Sequence, residues 1–153
     1  MPATLLPSIA EERHTQGATG ADLPPPSEFT PTILVADDDD DIRDLITFKL
    51  QTAGYRVLAT DNGDSALHII ETRLPDAVIL DVGMPGMDGF SVCYRLQNLR
   101  ATIGIPVIIV SSRDSLDDIS LGYTIGADDY LTKPFNPPDL LRRLRWQLMA
   151  NDD

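Results

Sequence analysis

The sequence predicts an α/β fold, a five-stranded parallel sheet with helices on both faces. Three observations carry that expectation. Five short β-branched or apolar runs recur between Thr32 and Ala150, stretches with helical spacing lie between and after them, and glycine or Asn-Gly marks the junctions. Alternation of this kind implies a helical crossover after each strand, and such crossovers cover both faces of the sheet.

In chain order, the first run, Ile33–Ala36, leads through Asp37–Asp41 into a helix whose Ile42, Leu45, Ile46, Leu50 and Ala53 share one face until Gly54 stops it. Asp39, Asp40 and Asp41 fall at that helix start, where carboxylates cap free N–H groups and favour the dipole, so they are read as capping or solvated residues. The second run, Arg56–Thr60, is only half apolar, and Asn62-Gly63 is read as opening the loop after it. The third run is Ala77–Leu80, with a helical stretch after it that holds Phe90, Cys93, Tyr94 and Leu96. Gly104 precedes the fourth run, Pro106–Val110, and the fifth is Tyr130–Thr132. In the last helix Leu140, Leu141, Leu144 and Leu148 share a face and leave Arg142, Arg143 and Arg145 towards water.

The composition sets the outer bounds. Of 153 residues, 42% are hydrophobic and 24% charged, the balance of an ordinary globular domain. A net charge of −12 disfavours nucleic acid and anionic lipid as partners, since both carry the same sign. No apolar run reaches the ~20 residues of a membrane span, and the N-terminus lacks the pattern of a secretory signal. A single cysteine, Cys93, excludes an intrachain disulfide framework and fits a cytoplasmic protein. Six of the 12 prolines fall within residues 1–31, including Pro24-Pro25-Pro26, so that segment is read as a flexible leader, with His14 solvated. The folded domain is expected over residues 32–150, with 151–153 as a tail.

The chemistry lies just beyond the strands. The first runs into Asp37-Asp38, the third into Asp81, the fourth into Ser111 and the fifth into Lys133. Ligands of open α/β sheets bind outside the carboxyl ends of the strands, so these groups converge on one edge. Carboxylates about 4 Å apart repel by roughly 4 kcal/mol per pair at an effective dielectric near 20. They must share a proton or bind a cation, and Mg²⁺ takes oxygen ligands of this kind. A lysine and a hydroxyl are of little use to the metal but suit the oxygens of a phosphoryl group. A carboxylate can itself accept that group. The residues alone therefore point to metal-assisted phosphoryl transfer to an aspartate.

Three blocks carry a family resemblance: Ile33-Leu34-Val35-Ala36-Asp37-Asp38, Leu80 through Gly89 (LDVGMPGMDG), and Gly126 through Phe135 (GADDYLTKPF). Their order and spacing resemble the receiver domain of bacterial two-component response regulators, the CheY-like superfamily. The resemblance implies a flavodoxin-like (βα)5 fold with strand order 2-1-3-4-5. It implies that Asp81 is the phosphoacceptor and that Ser111 and Lys133 contact the phosphoryl group. Mg²⁺ would be ligated by Asp38, Asp81 and the Gly83 carbonyl, with Asp37 acting through water, and Lys133-Pro134 would be a cis peptide. The donor would be a phosphohistidine on a sensor histidine kinase or phosphotransfer protein, or a small molecule such as acetyl phosphate. Ser111 and Tyr130 would form a switch in which the hydroxyl moves to the new phosphoryl oxygens and the ring turns inward, remodelling the face of helix four, strand five and helix five. In this reading the chain catalyses only its own phosphotransfer and autodephosphorylation.

The last of these blocks, Gly126–Phe135, is similar to receivers of winged-helix transcription factors, which pair through helix four, strand five and helix five. Arg143 and Asp129 suit that interface, but no Lys or Arg falls between Arg113 and Lys133. A homodimer through this face is one expectation. Gly83 and Ser112 replace the residues common in relatives and are expected to tune the acyl phosphate lifetime. Within these 153 residues no output domain is expected, and no DNA binding by this segment. Cys93 is read as a packing residue, Trp146 as packing along the last helix in preference to forming part of a partner surface, and His68 as a surface residue. Two alternatives stand beside the switch: a degenerate receiver that acts as a binding module without phosphorylation, and an aspartyl-phosphate phosphatase of the haloacid dehalogenase type. In the latter family the lysine precedes a second acidic pair, whereas Lys133 comes after Asp128-Asp129.

Overall fold

The computed structural model of the chain describes residues 30–151. Strands and helices alternate: β1 (Thr32–Ala36), α1 (Asp40–Thr52), β2 (Arg56–Thr60), α2 (Gly63–Arg73), β3 (Ala77–Leu80), α3 (Gly89–Gln97), β4 (Val107–Ser111), α4 (Leu116–Thr124), β5 (Asp129–Thr132) and α5 (Pro137–Ala150). The strands form one sheet in the order β2-β1-β3-β4-β5, every pair parallel, as the resemblance implied. Residues 1–29 of the expected leader, and 152–153 of the expected tail, lie outside the described residues. Thr30 and Pro31 are described, and the Pro31 carbonyl already accepts a hydrogen bond from the Arg56 N–H.

Alternation along each strand divides the core in two. Leu34, Val78, Leu80, Val107 and Ile109 point to the side covered by α2 and α3, against Ile70, Val92 and Leu96. Ile33, Val35, Ile79, Ile108 and Val110 point the other way, against Ile46 and Leu50 of α1 and Leu140 and Leu144 of α5. The central strands are therefore apolar at every position but Thr32 at the start of β1 and Ser111 at the end of β4, whereas β2, an edge strand, is half exposed. That is why its run is the least apolar of the five.

Two aspartates organise the lower edge, where the strands begin. Asp76 accepts from the Thr32 N–H at 2.8 Å and returns its own N–H to the Thr32 carbonyl at 2.8 Å. Asp128 does the same for Val107 across β4 and β5, again at 2.8 Å each way. Each pair satisfies a backbone donor that the ladder leaves open at a strand start. Beyond β4 and β5 at this edge lies a cleft of about 220 Å³, lined by Ile105, Pro106, Asp128, Gln147, Ala150 and Asn151 among others. The far end of α5 thus returns to the edge at which β1 starts.

Three expectations need correction. The fourth strand runs Val107–Ser111 rather than Pro106–Val110. Pro106 has no N–H for the ladder, while Ser111 pairs with Thr132 and its carbonyl accepts from the Lys133 N–H. Asn62-Gly63 begins a helix rather than a loop: the Asn62 carboxamide accepts from the Ser65 N–H at 2.8 Å and caps α2. Trp146 does not pack into the fold; it is 67% exposed, because two residues beyond buried Leu144 is about 200° round the helix. Cys93 is buried, as expected, and His68 is exposed.

Candidate functional site

Three loops at the upper edge bring the charged groups together. β1 ends at Ala36, and the chain turns at once into α1 because Asp39 accepts from the Asp41 and Ile42 N–H groups and caps that helix. The turn leaves Asp37 buried and Asp38 exposed beside it. Asp81 comes directly after β3, the next strand in the sheet, and its own N–H donates to the Ala36 carbonyl at 2.9 Å. One oxygen from each of Asp37, Asp38 and Asp81 lies within 4.8 Å of the others.

Lys133 enters from β5, two strands away, through the cis Lys133-Pro134 peptide that the resemblance implied. Its Nζ donates to Asp37 Oδ2 at 2.9 Å and lies 3.6 Å from Asp81 Oδ2. The other Asp37 oxygen accepts from the Asp39 N–H at 2.9 Å. Both oxygens of Asp37 are thus held by protein donors, while Asp38 faces solvent.

Three carboxylates against one ammonium leave the cluster short of positive charge. Asp81 registers the imbalance. Burial first, and then the Asp37 carboxylate, push its carboxyl up to about 6, against the lowering influence of Lys133 and of a hydrogen bond from the Gly83 backbone. The donor set consists of oxygens alone and is crowded with negative charge, which fits a hard divalent cation. A Cβ added at Gly83, two residues beyond Asp81, meets nothing within 4 Å, so that position borders open space.

Ser111 and Tyr130 stand on the side of the pocket built from β4 and β5. Ser111 is buried, and its Oγ accepts from the Arg113 N–H at 3.1 Å. Tyr130 is also buried, and its hydroxyl donates to the Arg113 carbonyl at 2.8 Å. The ring is already inward in this structure. Sequence reading missed what permits this: a Cβ at Gly122 of α4 falls 2.8 Å from Tyr130 Cδ2, so only glycine leaves room for the ring. A glycine inside a helical pattern was the available signal. It also missed Arg113, whose backbone N–H and carbonyl bond Ser111 and Tyr130 and whose number lies two beyond Ser111.

The sequence model of the family described as "Response regulator receiver domain" matches residues 33–145. The chain belongs to this family. Relatives and solved structures agree with the assignment. The receiver is 39% identical over 121 residues to the DNA-binding response regulator MtrA of Mycolicibacterium paratuberculosis, covering 79% of this chain and 52% of that protein. It therefore spans about half the length of the curated relatives it matches. Among structures, the receiver domain of Francisella response regulator 1452 shares 36% identity with a TM-score of 0.74, over 79% of this chain and 98% of that one. The BeF3-activated N-terminal receiver domain of Klebsiella pneumoniae RstA shares 33% with a TM-score of 0.70, over 76% and 97%. Receivers of this family are signalling domains of two-component systems rather than conventional enzymes. No helix among the described residues is long and apolar enough to cross a membrane.

Proposed function

We propose that this receiver is a phosphorylation-dependent switch of a two-component system and that Asp81 is its phosphoacceptor. The supporting observation is the convergence of Asp37, Asp38, Asp81 and Lys133 on one open pocket with buried Ser111 beside it. An Asp81 oxygen attacks the phosphorus of a phosphohistidine on a sensor histidine kinase or phosphotransfer protein. The P–O bond of an acyl phosphate forms as the P–N bond breaks, and the departing imidazole takes up a proton. Acetyl phosphate can serve as a small donor in the same way. Lys133, released from part of its bond to Asp37, offsets charge on the phosphoryl oxygens. Asp38, Asp81 and the Gly83 carbonyl would hold Mg²⁺ and Asp37 would hold it through water, an assignment that fits the occupied oxygens of Asp37. When bound there, the ion supplies positive charge against the phosphoryl oxygens.

The modified Asp81 draws the Ser111 hydroxyl from the Arg113 N–H towards the phosphoryl group. Arg113 also anchors Tyr130, so this exchange biases the inward ring and the α4–β5–α5 face. Gly83 and Ser112 tune how long the acyl phosphate persists before water attacks it, and the receiver catalyses only these two steps on itself. The remodelled face acts on an output domain or partner in the cytoplasm, without direct DNA binding by this segment. A homodimer through the face belongs to the same reading. There Asp129 is bonded within the chain to Arg143 at 2.7 Å and to the Tyr123 hydroxyl at 3.3 Å, so pairing must re-partner these groups or use others.

The test uses acetyl phosphate and beryllium fluoride with Mg²⁺ on the native chain and Asp81→Ala. Labelling and amide-shift changes confined to the native chain support the switch. No Asp81-dependent response in either assay identifies the degenerate binding module, and turnover of small phosphate esters identifies the phosphatase.

A further inference from the structure

Asp38 is the one carboxylate of the pocket whose side chain is not held in place. Lys133 and the Asp39 N–H fix the two oxygens of Asp37, and Lys133 also approaches Asp81. Among the described residues, no hydrogen bond or ion pair reaches the Asp38 side chain. Its direction is therefore set by the backbone, and first of all by the peptide that joins it to Asp37. The carbonyl of that peptide accepts from Arg43 Nη1 at 2.9 Å. Arg43 reaches it from the first turn of α1, with Nη2 on Asp40 at 2.7 Å, and its side chain is only 19% exposed. The guanidinium fork thus ties the helix start to the turn that carries Asp37 and Asp38. The rest of Asp37 is already committed: its N–H donates to the Thr60 carbonyl at 3.1 Å, and the residue is 2% exposed. Without the fork, a buried carbonyl is left unsatisfied or the peptide turns to find another donor, and a turn of that plane swings the chain at Asp38.

We propose that Arg43 is a positioning residue for the divalent cation: by holding the Asp37 carbonyl it fixes the Asp37–Asp38 peptide and aims the Asp38 carboxylate into the pocket. This rests on the reading of the pocket as a Mg²⁺-dependent phosphoacceptor site and adds to it a residue outside the ligand set. Charge and positioning predict opposite signs, which makes the role measurable. The Arg43 cation stands beside the pocket, so its charge alone disfavours a second cation, and removing it on that ground tightens Mg²⁺ binding. Removing a group that orients a ligand instead loosens the metal, by about 10–100-fold.

The experiment titrates Mg²⁺ by calorimetry and by amide shifts into the full chain, Arg43→Met, Arg43→Lys, Asp38→Asn and the double variant Arg43→Met/Asp38→Asn. Methionine keeps an apolar stem and a good helix propensity but has no donor. Lysine keeps the charge and loses the fork, so it decides alone if Arg43→Met does not fold. The expected result is Mg²⁺ bound about tenfold more weakly by Arg43→Met, with Arg43→Lys between it and the native chain. In the Asp38→Asn background the same arginine substitution is expected to cause no further loss. Native or tighter binding by the arginine variants overturns the proposal, and so does a loss that persists undiminished without Asp38. Native and Asp38→Asn chains that bind Mg²⁺ alike overturn the reading of the site itself, and this proposal with it.

Discussion

The Asp81 carboxyl is the residue at which the cost of assembling this pocket can be measured. Its folded pKa of about 6 lies above the ordinary aspartate value, so the folded state holds the proton more tightly than the unfolded one. Stability from this group is fully present below the unfolded pKa and is lost as pH rises through 6. With divalent ions chelated, Asp81→Asn is therefore expected to be the more stable protein at pH 8, by on the order of 1 kcal/mol once solvent screening of the half-buried group is allowed for. Urea melts at pH 8 and pH 4 check this: the gain shrinks at the lower pH. A gain that is the same at both values contradicts the assignment. Gly122 offers the second residue-scale test. A methyl group there overlaps the Tyr130 ring, so Gly122→Ala is expected to cost about 1–3 kcal/mol or to turn the ring out. Ring proton shifts of Tyr130 distinguish the two, and loss of its bond to the Arg113 carbonyl should weaken the response to beryllium fluoride. Neither effect was legible in the sequence, since burial of Asp81 and the approach of α4 to β5 exist only once distant segments meet.

At the scale of elements, the strands were legible because the sheet is buried on both faces and each central strand had to be a short, wholly apolar run. The upper edge was legible for a related reason: Asp37, Asp81, Ser111 and Lys133 each stand where such a run stops. Boundaries were less so. Pro106 looks like part of a strand by hydrophobicity, and only its missing N–H and the pairing of Ser111 with Thr132 move the strand by one residue. Asn62-Gly63 resembles a turn because the same residue types favour turns and helix starts. What marks the helix start is the Asn62 cap on Ser65 N–H, and the glycine answers the close approach of Met87: a Cβ at Gly63 would stand 1.7 Å from its carbonyl oxygen. Asn62→Ala is thus expected to lower stability by about 0.5–2 kcal/mol without altering the pocket. Equilibrium denaturation together with an unchanged Asp81-dependent response to beryllium fluoride measures both halves of that statement.

For the molecule as a whole, three carboxylates and one lysine make folding and cation binding a linked equilibrium. A cation bound only by the folded chain adds stability with concentration, about 2.7 kcal/mol at 100 times its dissociation constant. Mg²⁺ is therefore expected to raise Tm of the native chain progressively and to raise that of Asp38→Asn much less, since Asp38 is exposed and contributes little else to the fold. A differential scanning experiment over a Mg²⁺ series measures this. Equal rises in both chains place the ion elsewhere. The exposure of Trp146 is also a property of the whole molecule. A helical wheel drawn on α5 alone puts position 146 opposite Leu144, but whether another part of the chain covers it depends on segments far away in sequence.

The two reciprocal pairs, Asp76 with Thr32 and Asp128 with Val107, lie a full strand length from the acidic pocket, on the edge where Thr30 enters and Asn151 leaves. Cargo joined at Thr30 or Asn151, whether a fluorophore, a surface anchor or a reporter enzyme, would hang about 15–17 Å from the Asp81 carboxylate. The scaffold is laid out for interchangeable fittings: what is bolted on below can be exchanged without retuning the chemistry above.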